Sequence, residues 1–304
     1  PLAAPAYIVA YVYTDLLEVS GPLLTALRSL LSLDVGEVPL PSIRTLPGAA
    51  ILLSLVLYPY IYLLSRNSFA GRSGAQFDAA RVLGHGPYSA FFRIALPASR
   101  PAILGGLALV LMETLADFGV VSYFSVPTFS TGIFRTWLGL GDATAALKLA
   151  AFMLLFVIML VALEERNRRG TADSSDLTQA SRINLTGAKA GLAIAACLVP
   201  IMLGFAIPLT TLLIYASEHL QQNSSAIFFR MTINSVSLAL TASVAITLIA
   251  WLLAYTKRMH PSPLNNSLIR VSTIGYALPG ILLAVALLKP LGALNHWLVD
   301  IWPS

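Results

Sequence analysis

Of the 304 residues, 57% are hydrophobic and 11% charged, and the mean hydropathy is +0.78. Soluble domains carry about 25% charged residues, so a water-soluble globule is excluded. The net charge of +5 is small, and in a membrane chain its placement reports topology rather than nucleic-acid binding.

Apolar runs of membrane length are expected at Pro1–Leu17, Leu46–Leu64, Ala102–Phe124, Ala143–Leu163, Ala188–Tyr215, Thr232–Tyr255 and Leu268–Leu288. At about 20 residues each they suit helices rather than barrel strands. Pro59, Pro200, Pro208 and Pro279 lie inside such runs. Membrane helices tolerate them where neighbours satisfy the freed carbonyls. The single cysteine, Cys197, falls inside a run and reads as buried filler. The chain opens on Pro1 within an apolar run, without Met, and reads as a fragment.

Lys and Arg set the orientation. Arg66, Arg72, Arg81, Arg93 and Arg100 follow the second run. Arg166, Arg168, Arg169, Arg182 and Lys189 follow the fourth, and Lys257 and Arg258 the sixth. The alternate connections hold Asp15, Glu18, Asp34, Glu37, Asp142 and Glu218. Every second connection is basic, which places these loops in the cytoplasm. Residues 165–187 are polar and read as a linker between two membrane parts, 1–164 and 188–304. A faint repeat supports two halves: Ala4-Pro5-Ala6-Tyr7-Ile8-Val9-Ala10 is similar to Leu278-Pro279-Gly280-Ile281-Leu282-Leu283-Ala284.

The cytoplasmic stretch at 66–100 is too long and too patterned for a simple corner. Asp78-Ala79-Ala80 is followed by Gly84, and after nine residues by Ile94-Ala95-Leu96-Pro97. Small side chains permit close approach, and Gly84 permits a sharp bend. Tyr88 to Leu96 reads as a second amphipathic helix with Phe91, Phe92 and Leu96 as apolar contacts. Pro97 is expected to stop it, and Pro101 to start the next span.

This pattern resembles the EAA loop of ABC-importer permeases: Glu-Ala-Ala, three residues, Gly, nine residues, Ile-x-Leu-Pro. Here Asp78, Ala79, Ala80, Gly84, Ile94, Leu96 and Pro97 keep every spacing, with Asp in place of Glu. The first run through Tyr13-Thr14-Asp15-Leu16, the stretch Met112-Glu113-Thr114-Leu115-Ala116-Asp117-Phe118-Gly119 continuing to Val126-Pro127-Thr128-Phe129, and Gly275-Tyr276-Ala277-Leu278-Pro279-Gly280 are similar to the fused ferric-iron permeases. The resemblance implies an all-α polytopic transmembrane bundle of the type I importer fold in a bacterial inner membrane. It further implies two ATPase subunits gripping such loops and using ATP, and a periplasmic binding protein delivering Fe(III). Fused permeases for thiamine and phosphonates share this layout. Residues 1–164 then form the C-terminal part of one permease domain. Residues 188–304 form the N-terminal part of a second, cut before its own loop.

Glu113 and Asp117 are four residues apart, so one helical face would carry both. Intramembrane carboxylates usually face a bundle interior or a water-filled path. They read either as a path lining attractive to a hard cation or as caps and bridges between helices. The tyrosines at 7, 11 and 13 and at 58, 60 and 62 are explained by an interfacial aromatic belt. Arg135 and Trp137 lie in an outer loop, where a binding protein or the interface would meet them. His85, His219, His260 and His296 are scattered without metal-ligand spacing,, so no metal centre is expected. No Gly-x-x-x-x-Gly-Lys-Ser/Thr phosphate loop occurs,, so ATP hydrolysis is expected on another polypeptide and no cofactor on this one. An ion-gradient transporter is the alternative class, although it has no use for the loop. An intramembrane enzyme would have only Glu113 and Asp117 to work with.

Overall fold

The computed structural model describes residues 2, 4–32, 42–168, 185–219, 225–260, 262–274 and 280–301. Among these residues every regular element is helical. The chain divides into two compact units, residues 1–209 with 278–304, and residues 210–277.

The first unit holds α1 (Ala6–Leu17), α2 (Pro22–Leu31), α3 (Leu46–Ala70), α4 (Arg72–Val82), α5 (Pro87–Ala90), α6 (Leu96–Ala116), α7 (Gly119–Tyr123), α8 (Phe129–Phe134), α9 (Ala143–Arg168) and α10 (Ala188–Ile201). Its core is built by Val9 and Ala10 of α1, Leu52, Leu53 and Val56 of α3, and Val120, Val121 and Phe124 of α7. A second cluster joins Ile133 of α8, Ala146, Ala150 and Met153 of α9, and Val285 of a later helix, Gly280–Ile301. The second unit holds the end of α11 (Ile207–His219), together with α12 (Ser225–Met259) and α13 (Pro263–Ile274). The helix Gly280–Ile301, α14, returns to the first unit.

Among the described residues, five helical stretches are long and apolar enough to cross a membrane: Leu46–Ala70, Pro87–Ala116, Ala143–Leu163, Ala188–Glu218 and Ile227–Met259. The expected spans depart from these at three places. The first run forms a helix of only 12 residues, Ala6–Leu17. At 1.5 Å per residue it is about 18 Å long, short of the ~30 Å hydrocarbon layer. The third span does not start at Pro101. Helix runs unbroken from Pro87 through Pro97 and Pro101, and it ends at Ala116 rather than Phe124. The seventh run is shifted, with its apolar helical stretch at Leu283–Val299. Residues 275–279, which carry part of the Gly275–Gly280 motif and of the repeat, lie outside the described residues. Most of the linker at 165–187 lies outside them too. Cys197 is exposed rather than buried, because an apolar run in a bilayer need not be covered by protein.

Pro97 fails to stop its helix because of a π turn, Phe91–Ala95, that precedes it. The Leu96 N–H reaches back five residues to the Phe91 carbonyl. This wider register sets the chain at the point where proline has no N–H to give and its ring would otherwise crowd an i−4 carbonyl. The same device recurs at Met202–Ala206, ahead of Ile207-Pro208, where the Ile207 N–H bonds to the Met202 carbonyl.

α3 and α6 form the most extensive helix pair among the described residues. A Cβ on Gly106 would lie 2.7 Å from the Ile61 Cα. Near the basic end the Ser68 hydroxyl donates to Ser99 Oγ at 3.2 Å, with Ser99 fully buried. Lipid supplies no hydrophobic force between helices, so close backbone approach and interhelical hydrogen bonds hold them. Gly106→Val is therefore expected to destabilise the chain by about 1–3 kcal/mol, read as a lowered melting temperature in detergent. Gly132→Ala, where a Cβ meets nothing within 4 Å, should leave that temperature unchanged or raise it.

Candidate functional site

The basic-side turn is built from a helix end. α4 stops at Val82, Leu83 is its cap, and Gly84 adopts φ +89°. The Gly84 N–H donates to the Arg81 carbonyl at 3.0 Å and the His85 N–H to the Ala80 carbonyl at 3.1 Å. These are the two bonds of a Schellman cap, which calls for glycine at that residue. The cap explains the spacing: the glycine must stand four residues after Ala80, whose carbonyl takes the His85 N–H,. Gly86 then precedes Pro87, the first residue of α5.

The motif residues divide between support and surface. Ala80 is buried and Ala79 exposed, while Asp78, Ile94, Leu96 and Pro97 are half-buried. The apex between the helices is carried by residues outside the motif. Val82 is 88% exposed, Leu83 80% and Tyr88 77%. Reading the motif alone misses them; the signal was an apolar pair, Val82-Leu83, at a polar helix end. Behind the apex Phe91 stacks on Phe69 at the end of α3, with ring centroids 5.7 Å apart. Phe92 stands edge-on to Phe91 at 5.1 Å and is exposed.

At the other end of α6 the backbone breaks. Asp117 is extended, with ψ 127°, so it leaves the helical face that Glu113 occupies. Its carboxylate accepts the Val120 and Val121 N–H groups at 3.1 and 3.2 Å, capping α7. The buried Ser130 hydroxyl donates to the Asp117 carbonyl at 2.7 Å. Thr128 and Thr131 form a capping box that starts α8. Glu113 and Asp117 nevertheless line one cavity of about 250 Å³, together with Tyr60 of α3 and Ala4, Pro5 and Ala6 at the start of α1.

The other singled-out side chains are elsewhere. Tyr13 donates its hydroxyl to the Leu203 carbonyl at 2.5 Å. Trp137 packs on the Ile133–Met153 cluster, and Arg135 is exposed at the start of a third π turn, Arg135–Gly139. Among the described residues no three His, Cys, Asp or Glu side chains are grouped to hold a metal ion.

The Asp117 cap separates two roles for this carboxylate. Asp117→Ala removes the acceptor and should cost about 1–2 kcal/mol, read as a lower melting temperature. Asp117→Asn keeps an acceptor oxygen and should retain most of that stability while removing the charge. A drop as large for Asn as for Ala would count against the cap.

Residues 5–169 match the family of binding-protein-dependent transport system inner membrane components. Over 113 residues the chain is 26% identical to the Fe(3+)-transport system permease protein FbpB 2 of Haemophilus influenzae, covering 37% of this chain and 22% of that protein. Over 130 residues it is 24% identical to PhnU of Salmonella paratyphi A, which is named for 2-aminoethylphosphonate transport, covering 43% of this chain and 44% of that one. PhnU of Salmonella typhimurium is 23% identical over 130 residues, with 43% and 45% covered. The matched region thus spans less than half the length of each of these relatives. No solved structure matches. With α1 through α9 inside the matched region and five helices of membrane length, the chain belongs to the binding-protein-dependent transport system inner membrane components and is a multi-pass inner-membrane protein of the all-α type I permease fold.

Proposed function

We propose that this chain is the membrane-spanning permease subunit of an ATP-driven importer, and that the turn around Asp78–Pro97 is where ATPase subunits grip it. The observation that carries this reading is the Schellman-capped turn with Val82, Leu83 and Tyr88 exposed at its apex. It lies in a stretch whose five arginines mark the cytoplasmic side,. An ATPase that closes on ATP needs a rigid, protruding contact to move helices, and apolar side chains on a fixed turn provide one. Two ATPase subunits would act on two such turns. Residues 188–304 read as the opening of a second permease half joined through 165–187. A periplasmic binding protein would deliver the cargo to the opposite face.

Ferric iron is the cargo we favour. Support comes from the similarity to an Fe(3+) permease and from two carboxylates with a tyrosine around one cavity on the side that receives cargo. Hard cations prefer such oxygen donors, and Glu113 and Asp117 would border the path. The similarity to PhnU favours 2-aminoethylphosphonate as the second reading. Uptake of radiolabelled iron and of labelled phosphonate by a strain expressing the whole system decides between them.

The docking role has its own test. Gly84→Leu forces a side chain onto a φ of +89°, a conformation costing about 1–2 kcal/mol for an L-residue. Leu83→Asp places a charge on the exposed apex without touching the core. Both variants should insert at normal levels, yet lose copurification with the ATPase subunit and lose ATP-dependent uptake. Full ATPase recovery with both variants would sink the docking role.

A further inference from the structure

α2 has an apolar face that the other described residues leave largely exposed. Leu23, Leu27, Leu30 and Leu31 follow the i, i+4, i+7, i+8 spacing of one helical face and are 37–82% exposed. Leu24, at the edge of that face, is 3% exposed and fixes the helix to the protein. Thr25 and Ser29 lie on the opposite face, where the Ser29 hydroxyl bonds back to the Ala26 carbonyl at 2.8 Å. The Arg28 guanidinium donates to the Val19 carbonyl, so the helix is tied to its own entry loop. Ten residues make about 15 Å of helix, too little to cross the bilayer.

The level of α2 relative to the bilayer follows from its neighbours. Glu18, the residue after α1, pairs with Arg44, just ahead of α3, at 3.4 Å, both side chains being exposed. The Arg44 guanidinium carbon lies 5.0 Å from the Tyr123 ring centroid, and Tyr11 lies 6.3 Å from Tyr123. An ion pair beside an exposed tyrosine, Tyr11, and a half-buried one, Tyr123, is the signature of the boundary between water and acyl chains,. α2 starts at Pro22, four residues past Glu18, and so lies at that boundary. Short helices with a leucine face and a polar face lie in the interface plane and bind in proportion to the apolar area they bury.

We infer that α2 is an interfacial helix that rests its Leu23–Leu31 face in the acyl-chain region of the outer leaflet, anchoring the segment between α1 and α3 to lipid. Lipid is the solvent at the depth the ion pair marks, and the exposed leucines suit it,. This inference rests on membrane topology alone and stands whether or not the chain moves iron.

The test uses the full chain in vesicles of phosphatidylcholine and phosphatidylglycerol, with Cys197→Ser as background. Leu27→Cys, Leu30→Cys and Thr25→Cys are each labelled with an environment-sensitive NBD group. All three sites are exposed, so labelling leaves the packing intact. At positions 27 and 30 the expected result is blue-shifted emission. Quenching there by lipids spin-labelled near the headgroup should be severalfold stronger than at position 25. Iodide should quench position 25 more strongly. Equal iodide quenching at all three positions would overturn the inference. So would shielding of 27 and 30 from both quenchers, since a protein and not lipid would then cover the face.

Discussion

The seam between α3 and α6 is the contact on which the rest of the first unit depends. In a bilayer two apolar helices gain nothing by leaving lipid for each other unless their backbones come close or their polar groups bond. Gly106 against Ile61 provides the first and Ser68 with Ser99 the second. The consequence reaches the basic-side turn. α4 follows α3 after a single residue, Gly71, and α5 runs through the π turn into α6. Both arms of the turn are thus continuations of the two helices held together, and the Phe69–Phe91 stack closes the angle between them. A turn suspended from two locked helices is presented as one solid part.

Two prolines that would ordinarily break helices are absorbed by the same local device. Each follows a π turn by two residues, as Ala95-Leu96-Pro97 and Ala206-Ile207-Pro208. The cost of the device is a carbonyl with no proline N–H to meet. At Pro208 the carbonyl five residues back belongs to Leu203, and the Tyr13 hydroxyl of α1 donates to it. A buried carbonyl in the hydrocarbon layer must find a donor, so the α1 tyrosine serves backbone chemistry rather than a ligand. Its neighbours at positions 7 and 11 remain exposed, as an interfacial belt requires.

What the sequence made legible was local. The Asp78-Ala79-Ala80…Gly84 spacing could be read because a helix cap fixes positions four apart, and those positions need only each other. The charge alternation could be read because bulk water and lipid sort Lys and Arg regardless of packing. The end of α6 could not. Residues 115–124 are apolar apart from Asp117 and Ser122, and only the side chain of Asp117, turning onto two N–H groups, ends the run at Ala116. The continuation through Pro97 was hidden for the complementary reason: the rule that proline ends a helix assumes an i−4 register, and the π turn changes it. The leucine face of α2 is masked in the sequence by Asp15, Glu18, Asp34 and Glu37 around it, which give the segment the composition of a loop.

α6 links the two places where chemistry is concentrated. Its basic end grows out of the π turn behind Val82, Leu83 and Tyr88, and its other end stops at Asp117 beside the cavity shared by Glu113 and Tyr60. Gly106 stands ten residues from Leu96 and ten from Ala116, so the tightest contact with α3 falls at the midpoint, with about 15 Å of helix on either side. The Ser68–Ser99 bond ties the basic end of α6 to α3 as well, so under the proposed docking role a push on the exposed turn would be carried toward the cavity by α3 and α6 together. Such a paired body needs its far end joined to the rest of the unit. That is supplied by the Asp117 cap on α7, which packs on α1, and by the Ser130 bond that ties the break to α8.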